Sequence, residues 1–364
     1  MNILRTQKLT KELIAIDSVT GNESEIASFV KDELRHRGMT VQTFQVAAER
    51  MNIFASWHDE PAKILFNTHL DTVPEQYGPF EDDKRIYGRG ACDTHGILAA
   101  QLEALQDLHA EGIAGLGILL VVGEEKHHDG ALHAAKCDDI LEPQVLIVGE
   151  PTENKLMESQ KGRLKGNLSV YGVEGHSGYP EKFDSAVEKL FLVLDALWQS
   201  PWLKNESVQG TTMNATMLQG GDIDNQIPAM AKTRLMFRCA EPCSVVKKRV
   251  SHCLNSLEKT LPEFRGGKSH FELYWDPAQN DPIANLSTLP GFATGAAAFN
   301  TDIAYFGWKE CKTFLVGPGS ILQAHKDLKD NDWGNAEWIY KKDQIAGVRL
   351  YKKMIHTVLP SLKS

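Results

Sequence analysis

Three observations in the sequence predict an α/β fold interrupted by a smaller α+β domain. Short apolar runs at Lys63–His69, Gly117–Val122 and Val145–Val148 have the length and composition of strands buried on both faces of a sheet. Helical patterns alternate with these runs, as they do where helices layer a sheet on both faces. The texture then changes after about residue 162, where half-exposed, alternating strands replace the buried runs, and the first texture returns after about residue 272. The expected organisation is a discontinuous domain, residues 1–163 and 272–364, with an insert at 164–271.

The elements follow in order. Leu9, Leu13 and Ile16 fall at helical spacing over about residues 5–16. Asn22-Glu23-Ser24 opens a second amphipathic helix with Ile26, Phe29, Val30 and Leu34 on one face. Val41–Val46 alternates as a strand does, and Asn52–Trp57 is a second strand. The buried Lys63–His69 run follows, then an Ala- and Leu-rich helix over Ile97–His109. In the insert, Leu164–Val173 reads as a half-exposed strand and Asp184–Trp198 as an amphipathic helix. Thr211–Leu218 and Ala231–Arg238 read as strands, Val245–Leu261 as a helix and about 270–275 as a closing strand. That succession is a small α+β sandwich. Apolar segments Ile303–Phe306 and Thr313–Val316 and a last helix at 343–358 return to the first domain.

Composition narrows the class without naming a function. The chain has 364 residues, 42% hydrophobic and 24% charged, which is the make-up of a globular protein. Its formal charge of −9 would repel nucleic acid and anionic membrane, so neither is an expected partner. No apolar run approaches the roughly 20 residues of a membrane span, and the first residues show no secretory h-region. Six scattered Cys suit free thiols in a reducing, cytoplasmic setting better than a disulfide framework.

The chemistry stands at the ends of the buried runs. His69 and Asp71 close the first, Glu124 and Glu125 the second, and Glu150 the third. Asp93 ends Gly88-Arg89-Gly90-Ala91-Cys92-Asp93 before a helix, and His325 follows the turn Gly317-Pro318-Gly319-Ser320. Ligands in open α/β sheets bind beyond the carboxyl ends of the strands, so these residues converge on one rim. Clustered carboxylates need a compensating cation. His and carboxylates without Cys suit zinc, manganese or cobalt. Two His and three carboxylates could hold two divalent ions, with one Glu left over as a base. Asp71 could accept the second ring N–H of a ligating His69.

These segments, together with Gly175-His176-Ser177-Gly178-Tyr179-Pro180 and Asn225-Gln226-Ile227-Pro228, resemble the M20 metallopeptidase family in order along nearly the whole chain. That family includes acetylornithine deacetylase, succinyl-diaminopimelate desuccinylase, aminoacylases, carboxypeptidases and dipeptidases. The resemblance implies a three-layer, zinc-exopeptidase-like catalytic domain with a ferredoxin-like dimerisation or lid domain, in a cytoplasmic homodimer. It implies two metal ions, zinc first, bridged by Asp93, with His69 and Glu150 on one and Glu125 and His325 on the other. Glu124 would be the general base, His176 would steady the oxyanion in a partner subunit, and Arg238 and Asn225 would bind a substrate carboxylate. The expected substrate is an N-acyl amino acid, as for the biosynthetic deacetylases, with short peptides as the alternative and a non-catalytic binding protein as the remaining class. The chain departs from the family at Thr94-His95-Gly96, where many members have Met-Lys-Gly. It also lacks the Asp-Glu pair that usually follows the His closely, having Lys326-Asp327-Leu328-Lys329-Asp330 instead.

Each assignment has a plainer alternative. A strand-end His69 can be structural, Asp93 can be a helix cap, Glu124-Glu125 can be a solvated pair, Glu150 can mark a turn, and His176, His325 and Arg238 can be surface groups. His95, His127 and His128 are expected to face solvent. Cys239, Cys243, His252 and Cys253 fit no familiar zinc spacing and are expected to be ordinary residues.

Overall fold

Strands Leu116–Val121, Ile64–His69, Val145–Val148 and Lys312–Leu315 lie side by side in that order and run parallel. In the computed structural model, which describes residues 2–57, 62–137, 141, 143–204, 210–260, 270–308 and 310–362, they form the parallel part of a six-stranded sheet, with Lys312–Leu315 at one edge. Arg50–Ser56 adds antiparallel to Leu116–Val121, and Thr40–Ala47 adds antiparallel at the edge. The three apolar runs are buried at every position, the burial expected where helices cover both faces. The chain leaves the central Ile64–His69 strand first for one neighbour and then for the other, so the carboxyl end of that strand is a topological switch point.

By its contacts the chain divides into two units. The first comprises Met1–Glu158, Asn285–Gly295 and Thr301–Ser364, and the second Ser159–Ala284 and Ala296–Asn300. In the first unit, Leu13, Ile26, Val30 and Leu34 from the two leading helices join Ile64, Phe66, Ile118 and Leu120 of the sheet in one core. The leading helices span Ile3–Ile14 and Ser24–His36. Helix Lys341–Val358 docks through Tyr351, whose ring meets Phe66 edge-on at 5.5 Å and whose hydroxyl donates to the Val316 carbonyl at 3.0 Å. Burying each such large apolar side chain contributes about 1.5–3 kcal/mol.

The second unit is a four-stranded antiparallel sheet ordered Thr212–Gly220, Met230–Cys239, Gly162–Tyr171, Phe271–Trp275. Met230–Cys239 buries every second residue, the period-2 pattern of a sheet covered on one face. Helices Ala186–Trp198 and Cys243–Thr260 supply the cover through Leu190, Val193, Leu197, Val246 and Val250. Leu261, the expected end of the second helix, lies outside the described residues. The apolar segment Ile303–Phe306 forms a single helical turn. Three short strands, Phe80–Glu81, Arg85–Tyr87 and Trp338–Tyr340, build a small sheet too brief to leave a periodic signal. Among the described residues, no helix is long and apolar enough to cross a membrane.

Candidate metal centre and active site

His69 ends the central strand and is buried. Its Nδ1–H donates to the backbone carbonyl of Asp71 at 2.7 Å, which turns Nε2 toward Asp93 Oδ1, 3.1 Å away. The other oxygen of Asp93 faces Nε2 of His325 at 3.4 Å, and that same nitrogen lies 3.0 Å from Glu125 Oε1. Asp93 therefore presents one oxygen to each imidazole. Ligand atoms of His69, Asp93 and Glu150 all lie within 4.8 Å of one another, as do those of Asp93, Glu125 and His325.

The electrostatics match this geometry. Burial pushes the Glu150 and Glu125 carboxyls up, and the charge of Asp93 pushes both further. Burial also raises Glu124, to about 8, with Asp302 and Glu125 adding to the rise against the opposing pull of His128 and His69. Burial alone would depress His325, yet its hydrogen bonds to Asp93 and Glu125 hold it at about 11. Asp93 goes the opposite way from the glutamates. Burial disfavours its charge, but the hydrogen bonds from His325 and His69 outweigh that and keep its carboxyl below the usual range. A compact set of two imidazoles and three carboxylates, without thiolate, has the chemistry that could hold divalent cations.

Asp71 approaches the ring of His69 with both its carboxylate and its backbone carbonyl. Its carboxylate lies 3.5 Å from His69 Nδ1, while its own backbone carbonyl takes the ring proton. The carboxylate also accepts the backbone N–H groups of Glu124 at 3.0 Å and Glu125 at 3.2 Å, and the Thr20 hydroxyl at 2.8 Å. Asp71 thus fixes the backbone of the Glu-Glu pair.

Sequence reasoning missed Glu337 and Arg89. Glu337 is fully buried, and its Oε1 accepts the N–H of Cys92 at 3.0 Å and of Asp93 at 3.1 Å. Arg89, also fully buried, donates to Glu337 at 3.0 Å and to Asp327, two residues beyond His325, at 2.7 Å. The missing pair after His325 is answered by a carboxylate that arrives twelve residues later, with no local signal to announce it. His127 is exposed, but His95 and His128 are buried. His95 fits because Gly90, at φ +81°, has no side chain; a Cβ there would come within 2.6 Å of the imidazole. Burial holds His95 down at about 4, so it is a neutral ring beside the cluster.

The other sequence candidates lie in the second unit. His176 is exposed and pairs in register with Gln226, and the Asn225 carbonyl accepts the Ser177 N–H at 3.0 Å, so His176 and Asn225 share one corner. Arg238 sits toward the far end of strand Met230–Cys239, roughly 27 Å along it, where it donates to Asn300. Cys239 and Cys243 are buried thiols with sulfurs 3.9 Å apart.

The model of peptidase family M20/M25/M40 matches residues 65–357. The chain belongs to this family. A probable carboxypeptidase of Aspergillus clavatus is 33% identical to this M20 chain over 96% of the chain and 81% of that protein. Among solved structures, a tripeptidase from Staphylococcus aureus superposes with a TM-score of 0.76 at 20% identity, covering 98% of this chain and 99% of that one. A dinuclear metal binding M20 peptidase from Bacillus subtilis superposes with a TM-score of 0.63 at 13% identity, covering 99% of each. As an M20 member the chain is a hydrolase of amide bonds, on a mixed α/β fold shared with these peptidases. The narrower likeness to acetylornithine deacetylase finds no counterpart in these relatives.

Proposed function

We propose that this M20 enzyme hydrolyses short peptides at an amide bond next to a carboxylate-bearing residue. The observation that carries the reading is Asp93, whose two oxygens face His69 and His325 from separate segments. His69, Asp93 and Glu150 would hold one cation, and Asp93, Glu125 and His325 the other. Zinc is the expected ion, with cobalt or manganese as alternatives. When bound, such ions lower the pKa of water and polarise the acyl oxygen.

Glu124 accepts the proton of the attacking water and returns it to the leaving amine. Its burial raises its pKa, and cations bound beside it would lower that value again, so its place next to the ligand cluster is what suits it to take and release a proton. Asp71 keeps the backbone of Glu124 and Glu125 in one position while the proton moves. His176 and Asn225 are assigned to the polar groups of the substrate, with His176 serving the site of a partner subunit in a homodimer. Arg238 would exchange its bond to Asn300 for a substrate carboxylate. The exposed edge strand Thr212–Gly220, with Met217 and Leu218 uncovered, supports the homodimer.

The peptide reading takes precedence because the similar A. clavatus and S. aureus proteins are described as a carboxypeptidase and a tripeptidase. The second reading, an N-acyl amino acid, rests on the motif likeness to the deacetylases and uses the same residues. Metal-loaded protein assayed on dipeptides, tripeptides and N-acetylornithine separates the two. We expect kcat/KM to be highest on a peptide, activity to vanish on chelation and to return with two equivalents of metal. Glu124→Gln should bind both equivalents and lose ~10²–10⁴ in kcat. Near-normal turnover in that variant overturns the role of Glu124, and preference for N-acetylornithine overturns the peptide reading.

A further inference from the structure

The proposed chemistry leaves one buried ionisable group beside the base without a task. His128 stands four residues after Glu124, at 1% exposure. The Gly123 carbonyl accepts the N–H groups of both His127 and His128, and His128 itself takes the left-handed backbone at φ 53°. The next residue, Asp129, is gripped by Arg50, which also holds Glu23 through two bonds of 2.8 and 2.9 Å. The ring is fixed from the opposite side by a segment far away in the chain. Asp302 Oδ1 lies 2.8 Å from His128 Nδ1, and Tyr305 stacks on the imidazole at 4.5 Å and 22°. Asp302 is itself 2% exposed. Because a carboxylate accepts there, Nδ1 carries the hydrogen. Glu124 Oε1 lies 3.7 Å from that same nitrogen.

We propose that His128, locked by Asp302 and Tyr305, is a positioning residue that sets the orientation of the Glu124 carboxylate. A buried carboxylate can rotate about its last torsion, which is broad and two-fold. A base must keep one oxygen aimed at the water it activates, and a misplacement of ~1 Å can cost about 10²-fold in rate. The Nδ1–H of His128 donates to Asp302, and its positive edge, 3.7 Å from Oε1, biases the Glu124 carboxylate electrostatically rather than through a hydrogen bond. The backbone of Glu124 is fixed independently by Asp71, so the two contacts together determine where the base points.

The inference rests on Glu124 as the base, and the test separates the two. Gly and Asn both accept the left-handed backbone at position 128. His128→Gly removes the ring, and His128→Asn restores an N–H close to the place of Nδ1–H. We expect H128G to lose ~10²-fold in kcat, with KM within about twofold and two metal equivalents bound, measured below an unfolding midpoint that the loss of the ring from buried Asp302 lowers. H128N should recover to within about fivefold of the parent, the level at which a donor alone restores orientation. Parent-like kcat in H128G overturns the proposal, as does an H128N variant no better than H128G. Since ligand atoms of Glu124, His128 and Asp302 also lie within 4.8 Å of one another, loss of a metal equivalent in either variant would overturn it in favour of a cation site. Glu124→Gln run in parallel tests the base itself. An inactive E124Q beside a fully active H128G sinks only the role of His128.

Discussion

Replacing Asp71 with Asn keeps the shape of the side chain and removes one charge. The Asp71 carboxylate is fully buried and receives three hydrogens, from the N–H groups of Glu124 and Glu125 and the hydroxyl of Thr20. Hydrogen bonds to a charged acceptor are worth roughly 1.5–3 kcal/mol each and neutral ones about 1 kcal/mol. Asn offers one oxygen, and its amide N–H₂ must then face the donor that approaches the other side. One backbone N–H at 3.0 or 3.2 Å loses its acceptor, and the surviving bonds weaken. The loss of stability should therefore be about 3–5 kcal/mol. The side chain of Glu124 would shift with its backbone, and kcat of the fully loaded enzyme should fall about 10²-fold. Affinity for metal should change little, because the ring of His69 is held by the backbone carbonyl of residue 71, which the substitution leaves in place. Urea unfolding in saturating metal, kcat and a competitive metal titration measure the three quantities. If metal affinity falls ~10–100-fold, the range for removing the partner of a ligating His, while kcat at saturation stays within twofold, Asp71 acts through His69 and the reasoning from its backbone contacts is wrong.

Arg89→Met should destabilise the protein by about 3–5 kcal/mol, because it strands the fully buried Glu337 without its cation. Lysine at position 89 should recover only part of this, since it cannot repeat bonds to Glu337, Asp327 and the Pro74 and Glu75 carbonyls at once. A loss below about 1 kcal/mol in R89M, read from the shift in urea midpoint, contradicts the role given to the network. Lys352 joins helices Lys341–Val358 and His95–Ala110 through Asp107 at 2.8 Å and Glu111 at 2.9 Å. Burial pushes Asp107 up, but Lys352 outweighs it, and Lys352 also lowers Glu111, so both folded carboxyls lie below their unfolded values. Stability from these groups is present above the unfolded pKa and is lost as pH falls through the folded one. Lys352→Met should thus cost up to about 1 kcal/mol at pH 7 and nothing near pH 2, measured as ΔG of unfolding against pH. A constant difference across that range counts against the ion pairs as its source.

The sheet was legible because full burial leaves an uninterrupted apolar run, and Lys63–His69, Gly117–Val122 and Val145–Val148 each became a buried strand within a residue or two of its expected bounds. The clustering of His69, Asp93, Glu124, Glu125, Glu150 and His325 was legible for a related reason. Parallel strands share one carboxyl edge, so residues that follow them must meet there. The supporting residues had no such signal. Glu337 reaches the Asp93 backbone across 244 residues, and Asp302 reaches His128 across 174, contacts that only the finished fold creates. His95 and His128 were expected outside because imidazole is seldom buried without a reason. The reasons, a missing Cβ at Gly90 and a carboxylate at Asp302, lie in other segments. The two-residue spacing of His69 and Asp71 said that they would be neighbours, but not which oxygen of Asp71 would take the ring proton.

One arrangement recurs in the supports of the cluster. Asp71 accepts the backbone N–H groups of Glu124 and Glu125, and Glu337 accepts those of Cys92 and Asp93. In both cases a buried carboxylate grips two successive backbone donors of a segment that carries ligand or base side chains. A donor spent on the side chain itself would compete with a cation for the same oxygen. Gripping the backbone fixes the segment and leaves the oxygens of Asp93 and Glu125 facing His69 and His325. The cost is two further acidic groups inside an already acidic region, and the protein offsets it differently in the two places. Asp71 lies within 3.5 Å of His69, whereas Glu337 is neutralised by Arg89. Arg89 also reaches Asp327, so the guanidinium joins the segment of Asp93 to that of His325. Arg89 and Glu337 thus tie the backbone that carries Asp93 to the segment that follows His325.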